Sequence, residues 1–364
     1  MLTTACLLLS SALSSGQHSP IASKGCGSPL PSGFSLGNKV TRTVKTEGMD
    51  RTYYIYLPKS YSSSEALPSI FYFHGQFGQP SQGDGLMALA NSKGFALVEL
   101  QGASDKGSGR GNCGTGWNTG SSQNMTLSAE TCTSAAYYWS CCYASCEAQG
   151  KCKGDGESAD CLWSTCLNDD VFAEDVLADL SDVLCFDLDA VFASGQSNGG
   201  IIAHYLAAQN PNQWKGVMPV FGSPLRGFLD VSFALKGTSF LQLHGRTDKI
   251  IPYAGGLSNQ GWYYESMDDV AFAWGEVNGC DEDSRALTTP YDGIKNLACV
   301  EHPNCINGVR VIRCLFDGGH STPSTYNDLA YWFLETTLDG SVSTHVDLNV
   351  SASRREGREG VVAL

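Results

Sequence analysis

Residues 189–200 form an apolar run that stops abruptly at Gly-x-Ser-x-Gly (Gly195, Ser197, Gly199) and resumes as an apolar helical stretch over 201–208. Strand, sharp turn and helix are the surroundings in which this pentapeptide has a mechanical meaning. The serine is held at the tip of the turn with its hydroxyl projecting from the sheet. The glycines are needed because a side chain at either place would strike the neighbouring strand or helix. Ser197 is therefore the candidate nucleophile.

A serine hydroxyl is a poor nucleophile near neutral pH unless a base takes its proton and an acid fixes the base's tautomer. Seven histidines are present. His18 and His345 lie near the ends, His302 sits in a loop flanked by Pro303 and Cys305, and His204 belongs to the helix after the turn. His74 and His244 each precede a glycine at a strand end, a position suited to holding a loop through backbone hydrogen bonds. His320 follows the strand-like run 309–316 in a glycine-rich loop and is the expected base. Asp248, in the loop after the buried run 238–245, is the expected acid, with Asp317 as its rival. The order Ser197, Asp248, His320 is that of an α/β-hydrolase triad. A tetrahedral intermediate also needs amide donors for its oxyanion, expected from the backbone N–H of Asn198 and of Gln76 in the loop after Gly75.

The rest of the chain supplies a matching frame. Strand-like runs at 51–58, 69–75, 95–100, 214–222, 238–245 and 309–316 alternate with helical spacing at 170–180, 268–276 and 326–335. That alternation predicts an α/β fold with a mostly parallel sheet covered by helices on both faces. A catalytic domain is expected over 17–338, after a signal peptide at 1–16, where an apolar stretch ends in small residues. A disordered tail is expected over 339–364.

Between 102 and 168 the composition shifts to Gly, Ser, Asn and Cys, with eight cysteines from Cys113 to Cys166. This is too long for an ordinary connection and reads as a disulfide-stapled insertion. Without Cys6, an even fourteen of the fifteen cysteines remain. Even number and spacing favour disulfides in an oxidising compartment over metal sites, and hence a secreted protein. The insertion leaves one strand end and returns before a helix, so one of its ends must lie near the edge where open α/β sheets bind ligands. Trp117 or Trp139 could there offer an aromatic face to substrate, or with Trp163 form the insertion's own small core. Asn124 and Asn349 head glycosylation sequons. A net charge of −14 without a Lys/Arg cluster argues against nucleic acid and anionic membranes as partners.

Gly25–Gly27, Arg51–Tyr53, Phe73–Gly75, Gly116–Asn118, Asp169–Phe172, Leu184–Asp187, Gly195–Gly200, His244–Asp248, Asn278–Cys280 and Asp317–His320 occur in this order. As a set, from about Cys26 to about Leu334, they resemble the secreted feruloyl esterase and polyhydroxybutyrate depolymerase-like group of carbohydrate esterases. The resemblance implies an α/β-hydrolase fold, Ser197, Asp248 and His320 as triad, and no metal or organic cofactor. It further implies an ester of a cell-wall polysaccharide as substrate, or alternatively a polyester. The long cysteine-rich insertion departs from plain members of that group. A catalytically idle fold serving as a secreted binding module is the competing expectation.

Overall fold

The computed structural model describes residues 18–104, 113–119, 130–138, 141–152, 161–162, 164–230 and 237–340. The expected signal peptide, residues 341–364 of the tail, Asn124, Asn349, Trp139 and Trp163 lie outside them. In chain order, β1 (Lys39–Thr46), β2 (Met49–Tyr56), β3 (Leu67–Phe73), α1 (Met87–Lys93) and β4 (Ala96–Leu100) come first. The insertion contains α2 (Ala144–Ala148) and leads into α3 (Asp169–Val183). Then follow β5 (Phe186–Gln196), α4 (Asn198–Gln209), β6 (Gly216–Val220), β7 (Ser239–Gly245) and the short ribbon β8 (Gly256–Leu257) with β9 (Tyr263–Tyr264). The described elements end with α5 (Met267–Val277), β10 (Arg285–Leu287), β11 (Ala298–His302), β12 (Val311–Phe316) and α6 (Tyr326–Leu338).

Ten strands form one sheet in the order β1-β2-β4-β3-β5-β6-β7-β12-β11-β10. The central six, β4 to β12, are parallel, and antiparallel strands flank them at both edges. Parallel strands are buried on both faces, which is why β3 and β5 read as continuous apolar runs. Alternate residues divide between two cores. Phe71, Phe73, Val98, Val191, Ala193 and Phe240 pack with α3, α4 and α5 on one face. Ile70, Tyr72, Leu97, Phe192, Leu241 and Ile312 pack with α1 and α6 on the other. The expectation of helices on both faces of a mostly parallel sheet holds.

Seven disulfides join the fourteen cysteines from Cys26 to Cys314. Cys113–Cys141, Cys132–Cys161, Cys142–Cys152 and Cys146–Cys166 lie wholly inside the insertion. Cys26–Cys185 ties the entry segment to the start of β5. The insertion is a strap across the carboxyl edge of the sheet. Residues 113–119 lie on the loop after β3, while Cys132 and Ala136 pack with Ile201 of α4 and with Ile251 and Trp262.

Candidate active site

The turn between β5 and α4 is built as the pentapeptide requires. Ser197 has φ 57° and ψ −121°, a conformation that a non-glycine residue holds only when its surroundings enforce it. A β-carbon at Gly195 would overlap the carbonyls of Phe73 and Gly199, and one at Gly199 the carbonyls of Phe73 and His74. Gly222, after β6, packs just as closely on the Ser197 carbonyl. A serine lifted on a strained strand-to-helix turn at the centre of this strand order decides the architecture. This is the α/β-hydrolase fold.

In this hydrolase fold the loops after β7 and β12 carry the other two expected residues to Ser197. Thr247 N–H donates to the Gly318 carbonyl (3.0 Å), which ties the two loops together. Gly245 lies so close to Gly318 and Gly319 that a side chain there would prise them apart. The His320 imidazole then stands between the partners. Its Nδ1 is 2.7 Å from Asp248 Oδ2, and its Nε2 is 2.8 Å from Ser197 Oγ. With Nδ1–H donating to the carboxylate, Nε2 is left as acceptor for the serine hydroxyl. Phe221, another residue at positive φ (36°), sets its ring edgewise on the imidazole, with centroids 4.6 Å apart.

Asp248 is held as an anion from every side. Its Oδ1 accepts from the N–H groups of Ile250 (2.9 Å) and Ile251 (3.0 Å). Burial alone would raise its pKa, but hydrogen bonding from His244, His320 and the Ile251 N–H outweighs this and holds it well below the usual carboxylate range. His244 is fully buried; its Nδ1 receives Gln242 Nε2 (3.0 Å) and its Nε2–H donates to the Ile251 carbonyl (2.8 Å), 3.5 Å from Asp248 Oδ2. Thus His244 holds the acid's loop, the role its place before a glycine suggests. The rival acid, Asp317, is half exposed and engaged by Arg246 and Asn296.

His74 likewise fixes the loop after β3. Its Nδ1–H donates to the Gly75 carbonyl (2.8 Å), and its Nε2 accepts from Gly102 N–H (2.9 Å). Burial lowers its pKa to about 4, so the imidazole is neutral. A β-carbon on Gly75 would lie 3.5 Å from Ser197 Cβ, so this loop passes against the nucleophile one residue before Gln76. Asn198 is the first residue of α4, where a backbone N–H has no acceptor within the helix.

Trp117 requires a correction. It was expected as an aromatic face for substrate, but it is fully buried. Its Nε1–H donates to the His74 carbonyl (2.8 Å), and its ring packs edgewise on Phe73. Its backbone N–H and carbonyl bond the two ends of the Asn198 amide (2.7 and 3.1 Å). Next to it, Asn118 N–H donates to Asp169 Oδ2 (2.7 Å), and Arg51 binds the other carboxylate oxygen (2.7 Å). Arg51, Trp117, Asn118, Asp169 and Asn198, from motifs that the sequence presents as separate, are one buried network under the turn. Among the described residues, no three His, Cys, Asp or Glu side chains gather as a metal site.

No family model matches the sequence. Over 161 residues the chain is 26% identical to a probable feruloyl esterase C of Aspergillus clavatus, covering 44% of this chain and 53% of that protein. Feruloyl esterase B of Piromyces equi is 27% identical over 158 residues, 42% of this chain and 28% of that protein. The chain spans about half the length of the first of these relatives and less of the second. The solved acetyl xylan esterase from Aspergillus awamori superposes with a TM-score of 0.48 at 15% identity, over 80% of this chain and 98% of that one.

Proposed function

We propose that the protein is a secreted serine carboxylic-ester hydrolase of feruloyl-esterase type, acting on esters of cell-wall polysaccharides. The observation that carries this reading is the single imidazole of His320 in hydrogen-bond contact with both Ser197 Oγ and Asp248 Oδ2. The similarity to fungal feruloyl esterases supports the substrate class. Seven disulfides support secretion, because such links persist in oxidising compartments.

In the reaction, Ser197 Oγ attacks the ester carbonyl carbon while His320 Nε2 takes its proton. Asp248 stabilises the imidazolium and keeps the ring oriented. The carbonyl oxygen becomes an oxyanion, received by the Asn198 and Gln76 N–H groups. Collapse breaks the bond to the alcohol oxygen, and His320 returns its proton to that leaving group. Water, deprotonated by the same nitrogen, then attacks the acyl-enzyme; collapse frees the acid, and His320 reprotonates Ser197.

Hydrolysis of methyl ferulate by the purified protein and by Ser197→Ala tests the proposal. Turnover should fall by about 10⁴-fold or more in the variant. Its circular dichroism should be unchanged. Equal turnover by the two proteins, or none by either, would overturn the reading.

A further inference from the structure

We infer that Phe77 receives the acyl group of the substrate and gives the site a preference for an aromatic acyl chain, an inference that rests on the ester-hydrolase reading above. Phe77 follows Gln76 in the loop packed against Ser197, and it is 50% exposed. An exposed phenylalanine alone needs no explanation. This one is also held at φ 59°, a backbone conformation a large side chain adopts only under constraint.

The constraint comes from the insertion. Phe77 N–H donates to the Thr115 carbonyl (2.8 Å), and Thr115 Oγ1 donates to the Gly78 carbonyl (2.7 Å). Gln76 Nε2 donates to the Tyr143 hydroxyl (2.9 Å), which itself donates to the Gly114 carbonyl (3.1 Å). Gly114 lies flush under the Phe77 ring, so close that any β-carbon there would overlap it. The stapled segment thus props one ring face and leaves the side chain half open to solvent. Fully buried Trp117 cannot present such a face.

Strand order decides which half of the ester meets Phe77. β3, whose loop carries Phe77, neighbours β5 on one side, while β6, β7 and β12 lie on the other. His320, after β12, must protonate the leaving alcohol, so the alcohol lies towards β12. With the carbonyl oxygen turned to the Asn198 and Gln76 N–H groups, the acyl chain leaves Ser197 on the side away from the alcohol, along the loop after β3 that carries Phe77. A flat aromatic acyl chain gains most from a ring held in this way.

The test compares methyl ferulate with ethyl acetate on the wild type, Phe77→Ala and Phe77→Tyr. Phe77→Ala should lower the ratio of kcat/KM for methyl ferulate over that for ethyl acetate about tenfold, mainly through KM, and Phe77→Tyr should restore it. An unchanged ratio would overturn the inference, including the case in which both esters lose activity equally. Calorimetric binding of methyl ferulate to Ser197→Ala, with and without Phe77→Ala, gives a readout independent of turnover. Weaker binding to the double variant supports the assignment even if the wild type hydrolyses neither ester and the hydrolase reading fails; equal binding overturns it.

Discussion

Two aspartates compete on chemical grounds to serve His320, and their surroundings separate them. Asp248 has both oxygens occupied by donors that favour its charge and meets Nδ1 at 2.7 Å. Asp317 spends its carboxylate on Arg246 and Asn296. Asp248→Asn should therefore lower kcat on methyl ferulate by about 10³- to 10⁴-fold, because the amide no longer selects the tautomer that accepts the serine proton. Asp317→Asn should change it by less than about threefold, in keeping with a partly exposed ion pair. The reverse ranking would show that the acid is misassigned. The residue types, their order along the chain and their loops were legible in the sequence. The burial of Trp117 was not, since it depends on a hydrogen bond to His74, 43 residues away.

The same division between local and distant causes holds for whole elements. Strands such as β3, β5 and β7 announce themselves as apolar runs, because both of their faces are covered. The edge strand β1 does not; its Lys, Thr, Arg and Val residues are largely half-exposed, and its pairing with β2 defines it. β10 and β11 escape notice for the same reason, being short and placed at the other edge. The start of α3 is fastened to β2 by the Arg51–Asp169 pair, with side chains 6% and 0% exposed. Removing one partner strands the other charge in the interior. Asp169→Ala should destabilise the protein by about 3–5 kcal/mol, read from denaturant unfolding. A loss below about 1 kcal/mol would mean that water can replace the carboxylate.

Across the whole molecule, buried ionisable groups set how stability responds to pH. Burial lowers His74 from 6.5 to about 4 and His204 to about 3. Their contribution is complete above pH 6.5 and is lost as the pH falls towards those values. Glu99 has the opposite sign. Burial raises it from 4.5 to about 7 despite its Lys39 partner, so its contribution is complete below pH 4.5 and lost as the pH rises through 7. Asp170, Glu174 and Glu265, whose carboxyls burial also raises, act in the same sense as Glu99, so each group is tested by its own replacement. Glu99→Gln should raise the Tm at pH 7 relative to that at pH 4.5, compared with the wild type; an unchanged or smaller difference would contradict the assignment. The arrangement that all these groups support is one activated serine, and covalent labelling addresses it directly. Wild type, Ser197→Ala and His320→Ala are treated with a fluorophosphonate probe, and the adduct is mapped by peptide mass spectrometry. A single adduct on Ser197 is expected in the wild type, much slower labelling in His320→Ala, and none in Ser197→Ala; absence of the adduct from folded wild type, or undiminished labelling of Ser197→Ala, would contradict the account.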